Sequence, residues 1–152
     1  MPAIAPSYLY AFFALVTVST ILISAFAAYT TTLRTIPEIE QLKNLLTSVA
    51  SKSYELVTLT TVTKSASQAI VQLPSSLGNK QYWIKLRSES SETWVEGALG
   101  LIHQGNIANQ AYLPKAISAN GNYSSGYGPA VLECYLNGTT VSIHLSSWRE
   151  NV

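Results

Sequence analysis

The first 33 residues carry no charge: all nine Lys and Arg and all eight Glu of the 152-residue chain lie beyond them, and Asp is absent altogether. Within that end, residues 8–29 are Ala, Leu, Val, Ile, Phe and Tyr except for Thr17, Ser19, Thr20 and Ser24. A helix over this run, at about 1.5 Å per residue, is roughly 33 Å long and matches a hydrocarbon core of about 30 Å. The segment therefore predicts a helix able to cross a bilayer. Its few hydroxyls can bond the carbonyl one turn back, and Tyr8, Tyr10 and Tyr29 stand near the ends, where amphipathic rings collect. Core helices of soluble proteins are seldom apolar on every face for this length, and a secretory signal needs a positive n-region and a shorter run. Pro2 and Pro6 are expected to precede the helix.

Past the span the periodicity persists, with Leu33, Ile36, Ile39, Leu42, Leu45, Leu46 and Val49 at threes and fours. An amphipathic helix is thus expected to continue to at least about residue 50, with Pro37 kinking or interrupting it because its ring obstructs the carbonyl four residues back. Charges flanking the span, none before it and Arg34, Lys43 and Lys52 after it, would by the positive-inside rule place the carboxyl part in the cytoplasm.

Beyond a Ser/Thr-rich linker at 58–66 the pattern changes to period two. The clearest unit is a hairpin over 131–146 with Asn137-Gly138 as a two-residue turn. That register pairs Cys134 with Val141 and His144 with Val131, placing Leu132, Cys134 and Leu136 with Thr139, Val141, Ile143 and Leu145 on an apolar face and leaving the other face wet. A second hairpin turns over 88–91. Pairing Arg87 with Glu92 then sends Tyr82, Ile84 and Leu86 inward with Thr93, Val95 and Gly97, while Lys85 meets Trp94 and Trp83 meets Glu96 outside. Shorter strands are expected at 68–73 and 110–113, ahead of Pro74 and Pro114, with turn-rich loops between, notably 118–128. The fold class is α+β: an amino-terminal helix over 1–57, a linker at 58–66, and a small antiparallel β domain over 67–152, as a sandwich or a strongly curled sheet.

Composition excludes several functions. A net charge of +1 cannot supply the basic footprint of a nucleic-acid binder. One cysteine, Cys134, forms no internal disulfide, and a zinc site would have to use that thiol with the lone His103 and His144. Cys134 and His144 sit on opposite faces of the predicted hairpin, His103 falls in a loop over 102–109, no Asp can orient either histidine, and no Gly-rich phosphate loop opens a helix. No catalytic residue, metal or cofactor is expected. Trp83 and Trp94, predicted as exposed indoles on adjoining strands, mark a candidate outer contact surface. The segment 118–127 has the Tyr/Ser/Gly/Asn composition of adaptable binding loops. Sequons at Asn122 and Asn137, in predicted exposed turns, permit N-glycosylation.

An uncharged helix running on as an amphipathic one and then a small β domain, carried by Tyr8-Leu9-Tyr10, Ala27-Ala28-Tyr29 and Leu33-Arg34, with Leu73-Pro74, Gly78-Asn79-Lys80-Gln81-Tyr82-Trp83 and Tyr127-Gly128 behind, resembles the archaeal type IV pilin-like superfamily. The resemblance implies apolar helices bundled in the core of an extracellular filament with β domains as its outer wall. The assembly helix would then use Tyr8, Tyr10, Phe12, Phe13, Leu15, Val18, Ile21, Leu22, Phe26 and Tyr29. It also implies a membrane-anchored stage, partnership with copies of the chain and with pilus assembly machinery, a cell-surface location and an extracytoplasmic β domain, against the flank-charge count. The family's basic leader and cleavage-site Gly are not seen ahead of the apolar run, so the leader lies outside this sequence or the chain is an unprocessed relative. The alternative within the same broad group is a membrane-anchored extracellular binding module, similar to archaellum stator proteins or binding a surface layer.

Overall fold

A computed structural model of the chain describes residues 4–90, 92–101, 109–114 and 117–148. One helix, α1 (Ile4–Thr63), is followed by seven strands: β1 (Ser67–Val71), β2 (Tyr82–Glu89), β3 (Glu92–Leu99), β4 (Asn109–Leu113), β5 (Ile117–Ser124), β6 (Ala130–Asn137) and β7 (Thr140–Ser147). This is the expected α+β arrangement. The chain divides at Pro37 into two units, Met1–Pro37 and Glu38–Val152.

The helix starts before the apolar run, so Pro6 falls in its first turn instead of ahead of it, where a missing N–H costs nothing. At the other end it absorbs 58–63, read from sequence as the start of a linker, and stops where Lys64 takes a left-handed φ of 53°. The hydroxyls explain why so Thr-rich a segment stays helical. Thr58, Thr61 and Thr63 each donate to the carbonyl four residues back, at 2.9, 2.7 and 2.8 Å, so they do not draw backbone groups out of the helix.

In the second unit the strands form one seven-stranded sheet in the order β1-β6-β7-β5-β2-β3-β4, with β1 and β4 as its edges. Only β5 with β7 runs parallel among the described pairs. One sheet face is covered by α1, whose Leu42, Leu46, Val49, Ser53, Leu56 and Thr60 are buried at alternating steps of four and three, the single stripe a helix lays on a sheet. Leu42, Leu46, Val49 and Leu56 join Tyr82, Ile84, Leu86, Val95, Ala119, Tyr123, Leu132, Cys134, Ile143 and Leu145 in one hydrophobic core. Ile39, earlier in the predicted stripe, is exposed, as are Leu33 and Ile36 in the first unit.

Both hairpins differ from expectation, β6–β7 by a turn one position later and β2–β3 by a shorter loop. In β6–β7 the last pair is Asn137 with Thr140, so the loop is Gly138-Thr139 and not Asn137-Gly138. Only Gly138 has positive φ, 65°, matching a turn with Gly first, whereas the expected turn needed two such positions. In β2–β3 Glu89 pairs with Glu92, Arg87 with Trp94 and Lys85 with Glu96, so the loop is shorter than 88–91. Ser90 supplies its positive φ of 56°. Either change shifts each partner by two and leaves every side chain on its face, so the inward sets survive both corrections. Val131, expected on the wet face, is fully buried between Ile70 and Ser146.

Candidate functional site

Two surfaces carry the unexplained chemistry: the helix of the first unit and the sheet face turned away from α1. In the first unit, Tyr8–Thr30 is 23 residues long, apolar enough to cross a membrane, and none of it is buried. Tyr8, Tyr10, Phe12, Phe13, Leu15, Val18, Ile21, Leu22, Phe26 and Tyr29 are all exposed, so every candidate assembly residue presents its side chain outward. Phe12 and Phe13 meet edge to face with ring centroids 6.3 Å apart. Thr17, Thr20, Ser24 and Thr30 each donate to the carbonyl one turn back at 2.8 Å. With those four hydroxyls bonded inside the helix, lipid or protein can surround them without stranding them.

On the sheet face opposite α1, polar residues fall in rows because each strand contributes alternate residues. Gln68, Glu133, His144 and Asn120 lie side by side on β1, β6, β7 and β5. Gln68 Nε2 donates to Glu133 Oε1 at 3.2 Å, and His144 Nδ1 lies 2.6 Å from Asn120 Oδ1. Further along, Glu96 is nearly buried, accepts the Trp94 Nε1 proton at 3.1 Å and faces Arg87 Nη1 at 3.7 Å. This corrects the reading of Trp83 and Trp94 as exposed indoles: both are half-buried, Trp83 opposite Ala98 and Trp94 between Arg87 and Tyr112. The ring standing free on that row is Tyr112.

Residues 118–127 are not an adaptable loop. Ile117–Ser124 is an interior strand, with Ile117, Ala119 and Tyr123 buried and Ser118, Asn120 and Asn122 exposed. That alternation was present in the sequence but was masked by its loop-like composition. The Asn122 sequon accordingly sits in a strand and not in a turn, with Asn122 opposite Lys85. The Asn137 sequon is at the tip of β6–β7 and exposed throughout.

Cys134 and His144 lie on opposite faces, as expected, though their partners are Ile143 and Glu133. His103 lies outside the described residues. Burial pushes the Cys134 thiol up, with the Thr60 hydroxyl pulling the other way, and a protonated thiol is a poor nucleophile and metal ligand. Thr60 Oγ1 is buried and has no hydrogen-bond partner among the described residues. Burial likewise raises Tyr82 and Tyr123, whose hydroxyls donate to Pro74 O at 2.6 Å and Gly128 O at 2.7 Å. Sequence reasoning passed over this tyrosine pair, with ring centroids 6.4 Å apart, because strand position alone does not reveal which carbonyl a buried phenol finds. Among the described residues no group of three metal-ligating side chains comes together. No protein-family model, curated protein or solved structure matches the chain.

Proposed function

We propose that the chain is a structural subunit of an extracellular type IV pilus-like filament. The apolar helical segments Tyr8–Thr30 bundle in its core, the β domains form the wall, and the same helix holds the subunit in the membrane before assembly. Partners are copies of the chain and, by the resemblance, pilus assembly machinery. The observation that supports the reading is Tyr8–Thr30, exposed on every side with the hydroxyls of Thr17, Thr20, Ser24 and Thr30 bonded internally, continuous in one helix with the stripe that anchors the sheet. Such a helix needs apolar surroundings along its whole length, and packed copies supply them as well as lipid does. Electron microscopy of the full chain, purified from the cell envelope and freed of detergent, tests the assignment. Helical filaments are expected; dispersed particles that remain soluble only in detergent would overturn the filament and leave the membrane-anchored binding module.

A further inference from the structure

Resting on the filament reading, we infer that the β domains of neighbouring copies join edge to edge, β1 of one copy pairing antiparallel with β4 of the next. The sheet is open. Among the described residues the backbone of β1 pairs only with β6 and that of β4 only with β3, so each edge carries a row of unpaired N–H and C=O groups. Soluble proteins blunt such edges with Lys, inward charges, Pro or bulges. Here both edges are five residues long, Ser67–Val71 and Asn109–Leu113, and neither contains a charge or a proline.

The two edges also match residue by residue. In each, the first, third and fifth residues face α1 and the second and fourth are exposed on the other face. Full antiparallel overlap sets Ser67 against Leu113, Gln68 against Tyr112, Ala69 against Ala111, Ile70 against Gln110 and Val71 against Asn109, every pair on a common face. A second observation lies beside β4. A groove of about 420 Å³, mostly apolar, runs between Thr47, Ala50, Ser51 and Tyr54 of α1 and Ala111 and Leu113 of β4. No residue of β3 lines it, so it opens on the free side of β4, where an added strand would lay Ser67, Ala69 and Val71 along it. Pairing of β4 with β4, or β1 with β1, would close a two-fold dimer and stop, whereas unlike edges leave one of each kind free and propagate. A five-residue ladder is marginal alone in water, which suits a joint made after the helices have brought copies together.

The test uses the full chain carrying Ile70→Cys and Gln110→Cys, both at exposed positions, with the buried Cys134 left in place. Across the proposed joint their Cα atoms stand about 4.5–5.5 Å apart, within disulfide reach, whereas within one chain about six strand spacings separate them. Mild oxidation of assembled material is expected to give a ladder of covalent multimers from the double variant. An equal mixture of the two single variants should give a covalent dimer and nothing larger, and each single variant alone should stay monomeric. A covalent dimer from Gln110→Cys alone would overturn the inference in favour of a two-fold contact. Filaments without a ladder would overturn it and leave the filament reading standing. A ladder without filaments would do the reverse, and neither product would remove both. As a second measurement, Ile70→Lys with Gln110→Lys should lower assembly at least several-fold and Ile70→Lys with Gln110→Glu should restore it; equal assembly by both would overturn the joint.

Discussion

Gly97 tests the packing of α1 on the sheet. It is buried in β3 opposite Ile84, and a Cβ there would stand 2.6 Å from the Trp83 carbonyl oxygen and 3.0 Å from Leu46 Cδ2. The first neighbour is backbone of the adjacent strand and cannot retreat without parting β2 from β3. The second is the tip of a flexible side chain. Gly97→Ala should therefore cost about 2–3 kcal/mol, the upper part of the range for overpacking a core. In a unit of this size that lowers the melting temperature by about 10 °C. Leu46→Ala, which empties the space on the helix side, should cost about 2–5 kcal/mol by itself. The informative species is the double variant, because Leu46→Ala relieves the 3.0 Å approach and leaves the 2.6 Å one untouched. Gly97→Ala is expected to cost at least about 2 kcal/mol in either background, since backbone shifts dominate the strain of an overpacked site. Thermal melts of the full chain in detergent, followed by the fluorescence of half-buried Trp83 and Trp94, give both values. If Gly97→Ala became neutral or stabilising once Leu46 was shortened, the helix and not the neighbouring strand would be what requires glycine, and the account of the packing would be wrong.

Further predictions concern the turn, the buried acids and the helix junction. Gly138→Ala should cost about 1–2 kcal/mol because only Gly138 of that turn has positive φ, whereas Asn137→Ala should stay within about 0.5 kcal/mol; amide exchange of β6 and β7 measures both, and the reverse order would restore the Asn137-Gly138 loop. Burial raises Tyr82 and Tyr123 above 10.0 and Cys134 above 9.0. The unfolded chain thus loses these protons first, so stability is fully present below about pH 9 and falls as pH rises. Urea midpoints should drop between pH 8 and 10.5, and less steeply in Cys134→Ala and Tyr82→Phe; a midpoint that climbs over this interval would contradict the burial argument. The Lys80 Nζ to Glu38 Oε2 pair, 2.8 Å long, joins a half-exposed lysine to a mostly buried glutamate. A double-mutant cycle with Glu38→Gln and Lys80→Met should give less than about 1 kcal/mol, decreasing with salt, and a coupling above about 3 kcal/mol would mean the pair is effectively desolvated.

Much of the architecture was legible because it follows from periodicity. The apolar run, the buried line from Leu42 through Val49, and the inward faces of β2, β3, β6 and β7 all come from spacings of three to four or of two. What was not legible depends on contacts that spacing does not encode. Residues 58–63 look like a linker because Ser and Thr favour turns, but their hydroxyls bond within the helix while Thr60 turns inward to the core. Strand β5 looks like a loop because Gly121 and its Asn and Ser neighbours suit turns. Yet a Cβ at Gly121 would run into the Leu145 backbone, so that glycine marks a close approach to β7. For the site, exposure of the assembly residues followed from their being apolar all round, but the half-burial of Trp83 and Trp94 did not, because it depends on neighbours from other strands.

The two register corrections carry a more general lesson about what a hairpin sequence can specify. In β6–β7 the turn moved by one residue, in β2–β3 it shortened from four residues to two, and in both each partner changed by two, so burial of the core face was satisfied equally before and after. The hydrophobic pattern therefore could not choose between the registers; it excludes odd shifts and is indifferent to even ones. The choice fell to local terms. In β6–β7, a glycine placed first lets Asn137 remain in the strand, where the expected turn would have required positive φ from a residue with a side chain. In β2–β3, the chosen register sets Lys85 against Glu96 and brings Glu96 within reach of Arg87 and the Trp94 indole. The expected register would instead have set Trp83 against Glu96, leaving a nearly buried carboxylate to face an indole in place of the Lys85 ammonium. That acid sits one strand in from the β4 edge and is neutralised within its own copy. The edge itself therefore stays free of charge, which a strand-to-strand joint between copies requires.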